Sequence, residues 1–224
     1  MRASRKIAAL RDEMATALSS EVYMLCLAAA AAVKNKQQVL SETVATYVER
    51  KCSVDAMYET LLQTYLFAGF PAALEGLMTL TETLTKCSVE YTPPDEELYN
   101  VDEFRKRGEE LCQQIYTTVY PTIRERLGAI TPDLDDWMIV EGYGKTLSRP
   151  LLDAKTRELI TISMLAVTGW ERQLFSHIRG ALNVGASLGE CTDALLPTLF
   201  LTGDEMYDNA IDVLSKFAPE EDNK

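Results

Sequence analysis

Apolar residues along this chain recur at helical spacing, and β-branched residues never alternate cleanly with polar ones over a strand's length. The pattern predicts an all-α protein. A first helix is expected over residues 4–18 and a second over 20–33, the latter apolar on most sides and therefore buried. A third runs through Leu40, Val44, Tyr47 and Val48. Ser53 caps a helix ending near Gly69, and Pro71, whose missing N–H costs nothing in a first turn, opens the next to about residue 85. The stretch 87–101 holds Pro93-Pro94 and a cluster of acids with little apolar period, which reads as a linker. Beyond it, helices are expected over 102–117, over 121–127, and from Thr131-Pro132 to about 143. Asp153 caps a helix carrying Leu159, Ile162, Met164 and Leu165 that stops at Gly169. Leu174, Ile178, Ala181 and Leu182 share one face of a helix over 170–184, stopped by Gly185. Ser187 and Glu190 form a capping box, in which hydroxyl and carboxylate each satisfy a free N–H. Pro197 should kink the helix that follows. A last helix spans 204–217, before an acidic tail over 218–224.

The helical order repeats. Leu61-Leu62-Gln63-Thr64 with Gly69 matches Leu195-Leu196-Pro197-Thr198 with Gly203 at an offset of 134 (195 minus 61), and Ser53 matches Ser187 at the same offset. Glu21, followed by an apolar helix, matches Glu158 at 137 (158 minus 21). Two copies of one helical unit are therefore expected, over 1–86 and 102–217, joined by the linker 87–101.

Composition narrows the partners. With 224 residues, 47% of them hydrophobic, the chain can bury a sizeable core. Its net charge of −12 repels nucleic acid and anionic membranes, and no apolar run approaches the roughly 20 residues that span a bilayer. A cytoplasmic address is expected, although the basic start Met1-Arg-Ala-Ser-Arg-Lys leaves a short organellar presequence open. The five cysteines, Cys26, Cys52, Cys87, Cys112 and Cys191, are scattered and odd in number, which suggests reduced thiols, and a single histidine gives no zinc pattern.

That histidine, His177, flanks the apolar face of the 170–184 helix within Ser176-His177-Ile178-Arg179-Gly180-Ala181-Leu182-Asn183-Val184-Gly185. On periodicity alone it reads as a packed core histidine. The segment resembles the His-x-Arg-Gly-Ala-Leu-Asn-x-Gly signature of the carboxymuconolactone decarboxylase family. Tyr143-Gly144 through Arg149-Pro150-Leu151-Leu152 is similar to that family's Trp-Gly-x-x-Trp-x-Arg-Pro-Gly-Leu, and Lys155-Thr156-Arg157-Glu158-Leu159 to its Arg-Thr-Arg-Ser/Glu-Leu. Ala68-Gly69-Phe70-Pro71-Ala72-Ala73-Leu74 resembles the family's last motif. The resemblance implies an AhpD-like helical fold made of two tandem units, with one complete site near His177, because the first half has no histidine. At Gly203 the chain departs from the family, continuing Asp204-Glu205-Met206-Tyr207.

A lyase of this family needs no cofactor and no metal. It needs a cation for the substrate's carboxylate, donors for the enolate oxygen, and an acid to protonate carbon. The resemblance implies His177 as that acid, Glu158 as its orienting partner, and Arg149, Arg157 and Arg179 as candidates for a small anionic substrate. Six basic residues against three acids between Lys145 and Arg179 support an anionic ligand, since arginine's planar fork suits a carboxylate. On a helix, however, Arg179 and His177 point about 200° apart, which assigns Arg179 to the fold or an interface. Related alkylhydroperoxidases use Cys-x-x-Cys before their histidine, and here those positions are Trp170 and Gln173, so dithiol cycling would require a distant cysteine such as Cys191 or Cys26. Drift at Tyr143–Leu152 and after Gly203 favours a third reading, a non-catalytic helical oligomer. Because single-unit relatives form hexameric rings, a two-unit chain is expected to form a homotrimer.

Overall fold

A computed structural model describes residues 17–95 and 97–218. Among these there is no strand, and helices account for most positions. The helix expected over 4–18 lies almost wholly outside the described residues.

Two helices form the centre. Helix α1 (Ser20–Val33) is buried continuously from Tyr23 to Ala32, and α8 (Ala154–Thr168) from Arg157 to Val167. A helix apolar on all sides can only be covered on all sides, and these two lie against each other, with the Ser163 hydroxyl donating to the Cys26 carbonyl at 2.9 Å. Helices α2 (Gln37–Glu49), α3 (Val54–Gln63) and α4 (Tyr65–Lys86) pack around α1. In the same order, α9 (Glu171–Asn183), α10 (Leu188–Thr202) and α11 (Asp204–Ser215) pack around α8.

Local chemistry accounts for most boundaries. The hydroxyls of Ser19, Ser53 and Ser187 and the carboxylate of Asp153 accept backbone N–H groups at their helix starts, and Glu190 completes the capping box. Gly169 ends α8 in the left-handed region. The helix expected to run from Ser53 to Gly69 instead has a junction at Thr64. Gly69 then bends the path with φ 77° and ψ 173°, a geometry that other residues resist. Helix α10 continues across Pro197 to Thr202.

Residues 89–95 and 97–100 are neither helix nor strand. They are nevertheless held: Tyr91 donates to Asp55 at 3.0 Å, Glu97 pairs with Arg107 at 2.6 Å, and Tyr99 donates to Glu141 at 2.7 Å. Helix α5 (Val101–Tyr116) ends at Thr117, which takes φ 48°, a strained value for a β-branched residue. Then come α6 (Tyr120–Ile130) and α7 (Pro132–Trp137).

Where the pattern predicts one α-helix reaching about residue 143, the chain changes at Met138 into a π-helix that lasts to Leu147. Its wider register shows at its end, where the Ser148 N–H donates to the carbonyl of Tyr143, five residues back, at 2.8 Å. This segment lies directly on α5. A methyl group on Gly108 would strike the Ile139 carbonyl, and one on Gly144 the Phe104 carbonyl, so both contacts require glycine. Cys112, Ile115, Tyr116, Ile139, Tyr143 and Leu147 form a second small core between the two elements.

Candidate functional site

His177 and Glu158 meet between α9 and α8. His177 Nδ1 lies 2.9 Å from Glu158 Oε2, and because a carboxylate only accepts, Nδ1 carries the shared proton. Both side chains are buried, His177 8% and Glu158 1% exposed. The other carboxylate oxygen, Oε1, is buried without a hydrogen-bond partner. Space for this carboxylate comes from Gly180, one helical turn from His177: a Cβ there would lie 2.6 Å from Glu158 Oε2 and 2.6 Å from Ile115 Cγ2. Asn183 Nδ2 donates to the Ile115 carbonyl at 2.8 Å and fastens α9 to α5. The motif's glycine and asparagine thus serve the close packing that holds the pair.

The imidazole lines a cleft of about 770 Å³. One face of α9 contributes Arg172, Gln173, Ser176 and His177; the start of α4 adds Tyr65, Leu66 and Phe67. Tyr116 and Tyr143 close the base, and Ile123, Leu127, Leu134, Trp137 and Leu147 form apolar walls. Phe67 and Tyr116 stand edge-on to the imidazole, with ring centres 5.9 and 6.4 Å away. Tyr143 donates to the Tyr116 hydroxyl at 2.8 Å, which leaves the Tyr116 proton free to point elsewhere. Burial first, then the charge of Glu158, pushes the Tyr116 phenol well above its ordinary range, so it stays a neutral donor. Arg126 and Arg172 also line the cleft, and neither is ion-paired among the described residues. No cluster of three or more metal-ligating side chains occurs among the described residues.

Comparison with known proteins bears on this half of the chain. The family model described as carboxymuconolactone decarboxylase matches residues 135–216, a span that contains both His177 and Glu158. These residues belong to the carboxymuconolactone decarboxylase family. A 4-carboxymuconolactone decarboxylase of Acinetobacter baylyi is 32% identical over 72 residues, which cover 32% of this chain and 54% of that enzyme. An uncharacterised 15.0 kDa protein of Paracoccus denitrificans is 28% identical over 119 residues, 52% of this chain and 89% of its own. Peroxisomal protein 2 of Saccharomyces cerevisiae is 26% identical over 151 residues, 57% of this chain. The chain spans about half the length of the yeast protein, 53% of it, and about half of the Acinetobacter enzyme. The all-helical architecture of the described residues is consistent with the AhpD-like fold that the family resemblance implied.

Three arginines expected at the site stand elsewhere. Arg149 grips Glu59 with Nε at 2.8 and 3.0 Å from the two carboxylate oxygens. Arg157, only 2% exposed, donates to the same carboxylate at 2.9 Å, to Gln63 at 3.0 Å and to the Arg149 carbonyl at 3.0 Å. Glu59 is fully buried, and this cluster joins α3 of the first half to the second. The guanidinium of Arg179 lies over the Phe175 ring at 5.0 Å. None of the three lines the His177 cleft. In their place are Arg172 and Arg126. Arg172 has a partial signal, since it lies four residues before Ser176 on one helical face, while His177 is about 140° around the helix from it. Arg126, Tyr116 and Phe67 come from separate elements and have none.

The thiols stay out of the site. Cys26, Cys112 and Cys191 are fully buried, and burial pushes Cys112 and Cys191 up to about 12 and Cys26 higher still. Nucleophilic or redox cysteine chemistry depends on the thiolate, which these environments disfavour. Exposed Cys87 lies outside the cleft.

Proposed function

We propose that this protein is a cofactor-independent carboxy-lyase acting on an anionic lactone or a related acid, with His177 as its proton donor. The observation that carries this reading is the geometry of His177: Nδ1 is occupied by a buried carboxylate and the ring lines the cleft, which leaves Nε2 to exchange a proton with a ligand. In the reaction the bond from the substrate's carbon to its departing carboxylate breaks, carbon dioxide leaves, and the electron pair delocalises into the unsaturated lactone as an enolate. Tyr116 donates a hydrogen bond to the enolate oxygen; His177 enters the step as imidazolium, keeps its Nδ1 proton on Glu158 and delivers its Nε2 proton to carbon, and solvent then restores the Nε2 proton. Glu158 positions the ring. Arg172 and Arg126, in place of Arg149, Arg157 and Arg179, hold the anionic group that the substrate retains.

The same reading treats the chain as two family-type units, the first without a histidine, and as a homotrimer. Light scattering should then give about three times 25.0 kDa, and a monomer at micromolar concentration would contradict the trimer. The name of the yeast relative supports a peroxisomal address over a cytoplasmic one, which imaging of the tagged full-length protein decides.

The deciding experiment follows gamma-carboxymuconolactone by its ultraviolet absorbance, with His177→Ala alongside. Turnover that the substitution abolishes supports the reading. Equal turnover by His177→Ala, or none by the folded unaltered protein, overturns it for this substrate.

A further inference from the structure

The cleft is larger and more apolar than a small lactone needs. At about 770 Å³ it lies in the range of about 300–1,000 Å³ that holds drug-sized ligands. Its rim exposes large apolar side chains that a folded chain ordinarily covers: Ile130 is 81%, Trp137 57% and Leu134 51% exposed. A compact dicarboxylate would leave these walls wet. The electrostatics at the same place are one-sided, because Arg126 and Arg172 face the cleft without ion partners. Glu141, the acid in the opposite wall, is already paired with Lys145 at 3.0 Å and accepts from Tyr99 at 2.7 Å. Glu158 is turned away behind the imidazole.

From this juxtaposition we infer that the natural ligand is an amphipathic acid: an extended alkyl or aryl body lies along the apolar walls, and a carboxylate meets Arg126 and Arg172. The body covers Ile130, Leu134 and Trp137, and the carbon chain passes His177 on the way. This deepens the lyase reading, on which it rests for the role of His177, by naming the class of acid on which the site acts.

The single histidine supplies a test that needs no turnover. Diethyl pyrocarbonate modifies imidazole nitrogen, and the product is read by its absorbance, so the rate reports access to His177 alone. Dodecanoate, kept below its micellar concentration, should slow the modification at concentrations about tenfold lower than either dodecanol or butanoate requires. In the Arg126→Gln/Arg172→Gln protein, dodecanoate should fall to the level of dodecanol, while dodecanol is unchanged; both arginines are exposed, so the fold is preserved. Equal protection by butanoate and dodecanoate would show that the apolar walls are not used, and equal protection by dodecanol would show that the arginines are not. Either result overturns the inference, as does an absence of protection by all three. Should dodecanoate protect while gamma-carboxymuconolactone is not turned over, the choice of substrate fails and the amphipathic acid stands.

Discussion

The helices around α1 and those around α8 can be compared position by position. Asn35, Lys51 and Gly69, all with positive φ, lie 134 residues before Gly169, Gly185 and Gly203, which also have positive φ. Ser53 and Ser187 cap at the same offset. Each half also places a carboxylate early in its set, half-buried at Glu21 and buried at Glu158. Glu21 accepts from the Tyr47 hydroxyl at 2.9 Å, whereas Glu158 binds His177. Thr43, the counterpart of His177, donates to the carbonyl of Val39, and Thr46 stands where the second half has Gly180. A carboxylate in this place is thus compatible with a purely structural bond. The chemistry proposed for the second half requires two further changes, a histidine to meet it and a glycine to leave room, together with the cleft that α5, α6 and the π-helix build beside it. Surfaces diverge too: exposed Phe70, Leu74 and Met78 on α4 correspond to exposed Asp204, Asp208 and Asp212 on α11.

The largest effect that separates the halves is on turnover. His177→Ala should lower kcat by about a hundred- to ten-thousandfold, the usual worth of a positioned general acid, and Thr43→Ala by less than about twofold. Steady-state rates on both variants measure this, and comparable losses would erase the distinction. Next comes the ion cluster that joins the halves. Glu59→Ala leaves two guanidiniums without their shared carboxylate, one of them 2% exposed, and should cost about 3–5 kcal/mol in denaturant unfolding. Turnover per folded molecule should hold, because neither arginine lines the cleft. A loss of turnover without a loss of stability would return Arg149 and Arg157 to the site.

Smaller again is Gly180→Ala. The new methyl would meet Glu158 Oε2 and Ile115 at 2.6 Å, so the packing must shift, at a cost of about 1–3 kcal/mol, and the His177–Glu158 distance must change with it. Stability and kcat should fall together. Thr46→Gly in the other half should lower stability by only about 0.3 kcal/mol through helix propensity and leave kcat alone.

Much of the fold was legible because its signals are local. Ser53, Ser187 and Asp153 announce helix starts through their own side chains, Gly169 announces a stop, and the unbroken apolar faces of α1 and α8 place those helices at the centre. The π-helix was not legible, because Gly108 and Gly144 permit a backbone approach that only the pair of elements reveals. At the site, a motif brings out His177 and Glu158, but neighbours in sequence diverge in space. Arg157 and Glu158 are successive helical residues, about 100° apart, so one reaches Glu59 and the other His177. Tyr116 and Arg126 enter the cleft only once α5 has packed against α9 and α6 has folded beside α5 and α7.

The finest test of the comparison exchanges each half's carboxylate for its neutral isostere. In Glu158→Gln the amide oxygen can still accept from Nδ1, and the Oε1 side had no partner to lose, so stability should change by no more than about 1 kcal/mol. The bond to the ring is then no longer charge-assisted, its orientation loosens, and kcat should fall about tenfold with KM little changed. In Glu21→Gln, Tyr47 likewise keeps an acceptor, and kcat should not move. Equal loss in both variants would mean that either carboxylate acts only by supporting the fold. No loss in either would make Glu158 a structural tie like Glu21, and would leave His177 to work without an orienting partner.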